Sequence, residues 1–260
     1  EIDVAGARAV AGKLLESLHQ PVLLEQGTLY VPMASVGLAM YPQDGNTPDL
    51  LLRSADMAMY QAKVDGRNRI AEYVVAMSDA TDRAFAIQTE LAQAIEQNQL
   101  LVYFQPLCQL SDGALIGAEV LVRWQRPGHG LVLPSEFIGV AEKSGLLVAL
   151  DRWVMNQAVW QLGEWVKCGL WQPDWRLSVN QNVLDLQQPD VVDVLLQTLH
   201  AHRVSAYSIE LEITEDGLME PSAQIVDNLQ RLLTAGVSLA IDDFGTGYSS
   251  LAYLRRLPVS

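Results

Sequence analysis

Cysteine is almost missing from this chain. Cys108 and Cys168 lie far apart with no CxxC spacing, which disfavours both a disulfide framework and a zinc site and makes a reducing, cytoplasmic setting the expected one. Histidine is scarce as well, at four residues. His200 and His202 stand at i and i+2, which face different ways on a helix, so they read as a helix end rather than a metal clamp. No apolar run approaches the ~18 residues that a membrane span needs, and no secretory leader is recognisable. The first residue is Glu1 rather than Met, so the sequence is expected to begin inside a longer protein, with room upstream for a sensory or membrane segment.

Positive charge is the third scarcity. Lys and Arg number 17 against 31 Asp and Glu, for a net charge of −14. The imbalance is local: between Val204 and Leu254, Arg231 alone stands among Glu210, Glu212, Glu215, Asp216, Glu220, Asp227, Asp242 and Asp243. Such a segment disfavours binding to a DNA or RNA backbone. An anionic ligand could approach it only with cations bound.

What is present is a large apolar fraction, 50% of 260 residues, enough for one large or two modest domains. Its most informative site is the pair Asp242-Asp243, followed by Phe244-Gly245-Thr246-Gly247. The preceding run Val237-Ser238-Leu239-Ala240-Ile241 reads as a buried strand, so both carboxylates fall where a strand meets a glycine-rich turn. Two unit charges ~4 Å apart repel by ~4 kcal/mol at an effective dielectric of ~20, and a proton or a cation usually offsets that repulsion. A solvated loop with a capping Asp is the plain alternative for the dipeptide alone.

Residues 1–72 read as an α/β piece: a helix over 5–18, an apolar strand over 31–39, and a helix opened by Thr47-Pro48 and ended by Asp65-Gly66. A helix over about 80–97, with Ala84, Ile87, Leu91, Ala94 and Ile95 at helical spacing, looks like a semi-rigid connector. From Leu100 the pattern changes. Strands over 101–105 and 114–124 meet across Ser111-Asp112-Gly113, a hairpin signal. Helices over 134–143 and 146–167 follow, then strands near 176–180, 208–213 and 237–242 with helices between them, the last over 222–233. This alternation predicts parallel strands with crossover helices.

Asn180, Glu212 and Asp242 recur at a pitch of about 30 residues, one βα unit each, and so return to the same end of the sheet. Strand alternation fixes their face. Glu119 with Arg123, Ser178 with Asn180, and Glu210 with Glu212 each share one face, opposite Val120, Val122, Leu177, Val179, Leu211 and Ile213. Apolar faces under helices and polar faces turned inward describe a (β/α) barrel whose site lies at the C-terminal strand ends. Five of the eight strands of such a barrel are countable before Ser260, so the barrel is expected to be cut off.

Leu101-Val102-Tyr103-Phe104-Gln105-Pro106, Glu119-Val120-Leu121-Val122-Arg123-Trp124, Ser178-Val179-Asn180, Glu210-Leu211-Glu212-Ile213-Thr214-Glu215 and Asp242-Asp243-Phe244-Gly245-Thr246-Gly247 together resemble, in order, the EAL domain of cyclic di-GMP phosphodiesterases. Ser35-Val36-Gly37, Ala55-Asp56-Met57-Ala58-Met59-Tyr60-Gln61-Ala62-Lys63 and Gly66-Arg67-Asn68 resemble the C-terminal part of a GGDEF (diguanylate cyclase) domain. The signature turn of that domain would lie upstream of Glu1. The fold expected is therefore α/β: a partial GGDEF-type sandwich over 1–72, a helical connector over 73–97, and an incomplete EAL-type barrel over 98–260 whose first strand is antiparallel.

The resemblance implies Glu119, Asn180, Glu212, Asp242 and Asp243 as ligands of two Mg²⁺ or Mn²⁺ ions, with Glu119, Asp242 and Asp243 carrying the catalysis. It implies Arg123 and Gln105 as substrate contacts, cyclic di-GMP as ligand, a homodimer as the expected assembly and Glu210 as a supporting residue. Lys63 and Arg67 match residues that contact nucleotide phosphates, though basic residues at a helix C-terminus would look the same. Glu119-Val120-Leu121 departs from the namesake Glu-Ala-Leu by one apolar enlargement on the helix-covered side. The family's later Lys, Glu and Gln fall beyond Ser260, so the 260 residues alone are expected to hydrolyse cyclic di-GMP poorly or not at all. A non-catalytic receptor and a dimerising scaffold are the alternatives.

Overall fold

The computed structural model describes residues 3–23, 29–215, 218 and 221–242, the side chains of 78–82 aside. The chain divides into two compact units, residues 1–86 and 87–260.

In the first unit, α1 (Val4–Leu18) starts on Asp3, whose carboxylate accepts from the Gly6 amide at 2.8 Å. Two short strands, β1 (Val22–Leu23) and β2 (Leu29–Tyr30), pair antiparallel. The strand expected over 31–39 is shorter than its apolar run: only β3 (Val36–Leu38) is paired, parallel to β4 (Ile70–Glu72). The helix between them, α2 (Pro48–Val64), begins as the sequence predicts, with Thr47 as N-cap and Pro48 in the first turn. Ser54, Ala58 and Ala62 line its buried face at intervals of one turn. Their small size lets β3 come so close that a methyl group on Gly37 would collide with the Ala55 carbonyl.

The division between units falls inside α3 (Val75–Glu96). This helix begins earlier than its sequence pattern indicated, and its second half is no bare connector. Ile87, Leu91 and Ala94 are buried in the core of the second unit. Glu90 there takes a bidentate pair from the buried Arg126, at 2.8 and 3.0 Å, and the guanidinium lies 5.3 Å from the Trp124 ring centroid. The Arg126 pair holds the Glu90 carboxyl below its usual range.

The second unit is built on one sheet in the order β10-β9-β8-β6-β5, with β7 added to β6. Strands β5 (Leu100–Cys108) and β6 (Leu115–Arg126) form the expected antiparallel hairpin. The short β7 (Gly130–Val132) pairs back on β6; three residues with glycine at the start carry too little pattern to be read from sequence. Helices α4 (Pro134–Ser144) and α5 (Leu147–Lys167) precede β8 (Arg176–Asn180), then come α6 (Val183–Leu186) and α7 (Val191–His202). A 3₁₀ turn at Ala206–Ser208 leads into β9 (Ile209–Thr214), and α8 (Ala223–Ala235) into β10 (Ser238–Asp242). Strands β6, β8, β9 and β10 are parallel.

Alternation sorts the faces as expected. Val120, Trp124, Leu177, Val179, Ile209, Leu211, Ile213 and Leu239 are buried with Phe137, Leu150, Ala158, Leu162, Leu195, Leu229 and Leu232 from the helices in one apolar cluster. Trp124 meets Phe137 edge-on at 5.8 Å. Each such side chain contributes roughly 1.5–3 kcal/mol of transfer free energy, so the helix-covered face is the chief source of stability. Helix α8 ends at Gly236, whose φ of 98° is left-handed and suits glycine.

Gly117, near the start of β6, lies hard against β8: a methyl there would strike the Arg176 carbonyl. Gly117→Ala is expected to cost about 1–3 kcal/mol, the usual range for overpacking. A urea unfolding curve should show a lower midpoint at unchanged slope; an unchanged midpoint would mean that β6 and β8 can part without loss.

Candidate active site

Strand register places the polar side chains in rows across the inner face. Gln105 lies opposite Glu119, Glu119 opposite Ser178, Ser178 opposite Glu210, and Glu210 opposite Ser238. One step nearer the C-terminal strand ends, Asn180 lies opposite Glu212, and Glu212 opposite Ala240. A further step brings Thr214 opposite Asp242, the last residue of β10. The residues expected as ligands thus climb the sheet diagonally from Glu119 to Asp242.

Hydrogen bonds join side chains within this array. The Asn180 amide donates to Glu119 Oε1 at 3.2 Å, and the Ser178 hydroxyl to Glu210 Oε1 at 3.1 Å. Glu210 is thereby engaged within its own row. Glu212 is half-buried, and burial pushes its carboxyl above the usual range. The nearby Ser178 hydroxyl works against the shift, while the charges of Glu119, Asp242 and Glu210 add to it. Desolvation and like charge act together here. A cation among these groups would relieve both.

The donors are carboxylate and amide oxygens, the set that suits Mg²⁺ or Mn²⁺ rather than zinc or copper. Among the described residues, no three acidic, imidazole or thiol groups already converge at metal-binding distance. Glu119, Asn180 and Glu212 form the described centre of the donor set, and Asp242 stands at its rim. Asp243 lies outside the described residues. The residues fit a divalent ion in donor chemistry and in electrostatics.

Arg123 and Gln105 flank this centre. Arg123 lies on the same face as Glu119, further along β6. Its guanidinium sits 5.6 Å from the Tyr103 ring centroid and donates to the Val122 carbonyl at 2.7 Å. Gln105 is exposed opposite Glu119.

The strand ends are tied by backbone and by a second set of side chains that sequence reasoning passed over. The Gln181 amide donates to the Glu212 carbonyl at 2.8 Å and the Glu215 amide to the Asp242 carbonyl at 3.2 Å. Behind Asn180, Asp151 of α5 accepts from the Asn182 amide at 3.2 Å. Arg152 reaches Asp185 at 3.0 Å and Asp190 at 2.7 Å. The one signal available was Gln181 itself, a polar residue where β8 alternation calls for an apolar one.

Comparison with known proteins identifies the family. The EAL domain family model matches residues 88–260, and the model for the diguanylate cyclase, GGDEF domain, matches residues 3–69. The chain belongs to the EAL domain family, with a GGDEF segment ahead of the EAL domain. It is 38% identical over 256 residues to the bifunctional diguanylate cyclase/cyclic di-GMP phosphodiesterase MucR of Pseudomonas aeruginosa, covering 98% of this chain and 37% of MucR. It is 34% identical over 251 residues to the cyclic di-GMP phosphodiesterase PdeR of Escherichia coli, covering 96% of this chain and 37% of PdeR. The chain therefore spans little more than a third of these relatives. Among solved structures, the MucR phosphodiesterase in complex with c-di-GMP superposes with a TM-score of 0.63 at 39% identity, over 67% of this chain and 70% of that one. The FimX EAL domain of Pseudomonas aeruginosa bound to c-di-GMP gives 0.59 at 29% identity, over 68% and 69%.

Asp151 makes a pH-dependent prediction. Burial pushes its carboxyl from an ordinary 3.8 up to about 7, the Asn182 amide works against that rise, and Asp185 adds to it. The folded state thus holds this proton more tightly than the unfolded chain. The resulting stability is complete below about pH 4 and is lost as pH rises through 7. A tenfold difference in proton affinity is worth ~1.4 kcal/mol, so between pH 5 and 7 the loss from this group is of order 2–3 kcal/mol. Asp151→Asn should flatten that part of the stability profile; an equally steep profile in the variant would assign the slope to other groups.

Proposed function

We propose that this chain carries a cyclic di-GMP phosphodiesterase site that opens one phosphodiester bond of the ring to give the linear dinucleotide. The observation that carries this reading is the gathering, on one face of the parallel sheet, of Glu119 from β6 with Asn180 and Glu212 at the ends of β8 and β9, with the Glu212 carboxyl raised by burial and like charge. The names of MucR and PdeR and the c-di-GMP complex of MucR support the substrate.

In this reading Glu119, Asn180, Glu212, Asp242 and Asp243 hold Mg²⁺ or Mn²⁺ in a two-metal site. Bound ions of this kind supply a water of lowered pKa and neutralise charge on the phosphate oxygens. The protein's own residues do the rest. Asn180 donates its amide hydrogen to Glu119 and so leaves its carbonyl oxygen as the donor toward an ion. Ser178 engages Glu210 and keeps that carboxylate in the row below. Arg123, on the same face as Glu119, meets a phosphate of the substrate with a planar cation suited to paired oxygens. Gln105 offers an amide to the opposite side. Without cations, the carboxylates would repel a substrate carrying two phosphodiester charges.

The test is made on the chain extended to barrel closure, since the 260 residues alone are expected to hydrolyse the ligand poorly: it is incubated with cyclic di-GMP and Mg²⁺ or Mn²⁺, and the linear product is followed by chromatography. Metal-dependent product is expected, with a loss of at least ~100-fold on Glu119→Ala, in line with removal of one strong electrostatic contact at a reacting centre. Binding of the ligand without product under either metal would make the site a receptor. Neither binding nor product would overturn the assignment.

A further inference from the structure

Gln181 breaks the rule of its own strand. Leu177 and Val179 turn toward the helices and are buried in apolar contacts, while Ser178 and Asn180 turn inward. One residue past the strand, Gln181 faces the helix side, where an aliphatic residue would bury at no polar cost, yet it is a glutamine only 7% exposed. Its amide donates to Asp185 Oδ2 at 3.0 Å. Asp185 is itself 3% exposed, and its other oxygen takes Arg152 Nε at 3.0 Å. Arg152 in turn grips Asp190 with both terminal nitrogens, at 3.1 and 2.7 Å. Arg152, Gln181 and Asp185 border a cleft of ≈ 20 Å³ that also touches Asn156 and Thr198.

Buried polar groups cost free energy unless every partner is in place, and a fully paired network holds its members in one arrangement. This network acts on one short segment. Asn180 is fixed on its inner side by Glu119, Gln181 by its backbone bond to the Glu212 carbonyl, and the Gln181 side chain by Asp185. The peptide joining Asn180 to Gln181 is thereby pinned on both faces of the sheet.

We propose that Gln181, Asp185 and Arg152 form a positioning relay that aims the Asn180 amide into the ion site, so that metal affinity is set partly by residues that never touch the metal. The relay rests on the metal-centre reading given above. Groups that orient metal ligands from behind typically alter affinity by about 10–100-fold when removed. Gln181→Leu conserves volume and leaves the Arg152–Asp185 pair intact, so the fold should survive.

The experiment compares the unaltered chain, Gln181→Leu, Asp185→Asn and the double variant. Mn²⁺ affinity is read from the electron paramagnetic resonance of the free ion, thermal unfolding is followed alongside, and hydrogen exchange is read at the residue-181 amide. The expected result is cooperative unfolding of Gln181→Leu at a lower melting temperature, because Asp185 Oδ2 loses its donor, with Mn²⁺ affinity at least tenfold weaker and faster exchange at residue 181. The double variant should be no weaker than Gln181→Leu alone, because the groups act as one unit. Equal Mn²⁺ affinity in the unaltered chain and a folded Gln181→Leu would overturn the relay. If Gln181→Leu does not unfold cooperatively, Asp185→Asn carries the same comparison. A chain that binds no Mn²⁺ at all would defeat the metal reading instead; the exchange measurement then decides the relay, which falls if residue 181 exchanges equally in both proteins.

Discussion

Glu212 is held half-buried within reach of Glu119, Glu210 and Asp242, and the cost of that crowding governs what surrounds it. Like charges gathered at a sheet end cannot persist on hydrophobic packing alone. They need hydrogen-bond donors, and the inner face supplies them: the Ser178 hydroxyl on Glu210 and beside Glu212, and the Asn180 amide on Glu119. They also need a scaffold stiff enough to bear the repulsion. The helix-covered face provides it, with Leu177, Ile209, Leu211, Ile213, Leu150, Leu162, Leu229 and Leu232 all close to fully buried. The apolar core and the acidic groups thus occupy opposite faces of the same sheet. The apolar face bears the free-energy cost of keeping the acidic face assembled.

Much of this was legible in the sequence because it follows from a period of two. Once β8, β9 and β10 are recognised as strands, the inward placement of Asn180, Glu212 and Asp242 is geometry rather than inference. The hairpin of β5 and β6 was legible for a similar reason: Ser111-Asp112-Gly113 interrupts two alternating runs. Helix starts were read from caps, as at Thr47-Pro48. The family motifs pointed to the site, and the register shows how their residues come to share a face. Glu119, Gln105 and Ser178 share one row, although they come from separate stretches of chain.

Other features were not legible, each for a physical cause. The strand expected over 31–39 shortens to Val36–Leu38 because apolar character alone does not supply a partner strand. The second half of α3 looked like a connector, yet its apolar stripe was the sign of a core-facing helix, and only packing decides between these. The Arg152, Asp185 and Gln181 network joins a helix, a short turn and a strand end. No spacing rule links such positions. A single outward-facing glutamine after an alternating strand was the trace it left, and that trace is ambiguous until the partners are in view.

The diagonal climb from Glu119 through Asn180 and Glu212 to Asp242 has a consequence for how such a chain can change over generations. Within a strand, inserting or deleting one residue exchanges the two faces, so that Leu211 or Ile213 would stand where Glu212 belongs and a carboxylate would be driven under a helix. In the loops between strands the same event shifts nothing on the inner face. Length variation is therefore permitted in the connections and forbidden in a few short blocks. The order of those blocks along the chain is a record of the sheet, written in the positions where the sequence cannot gain or lose a residue.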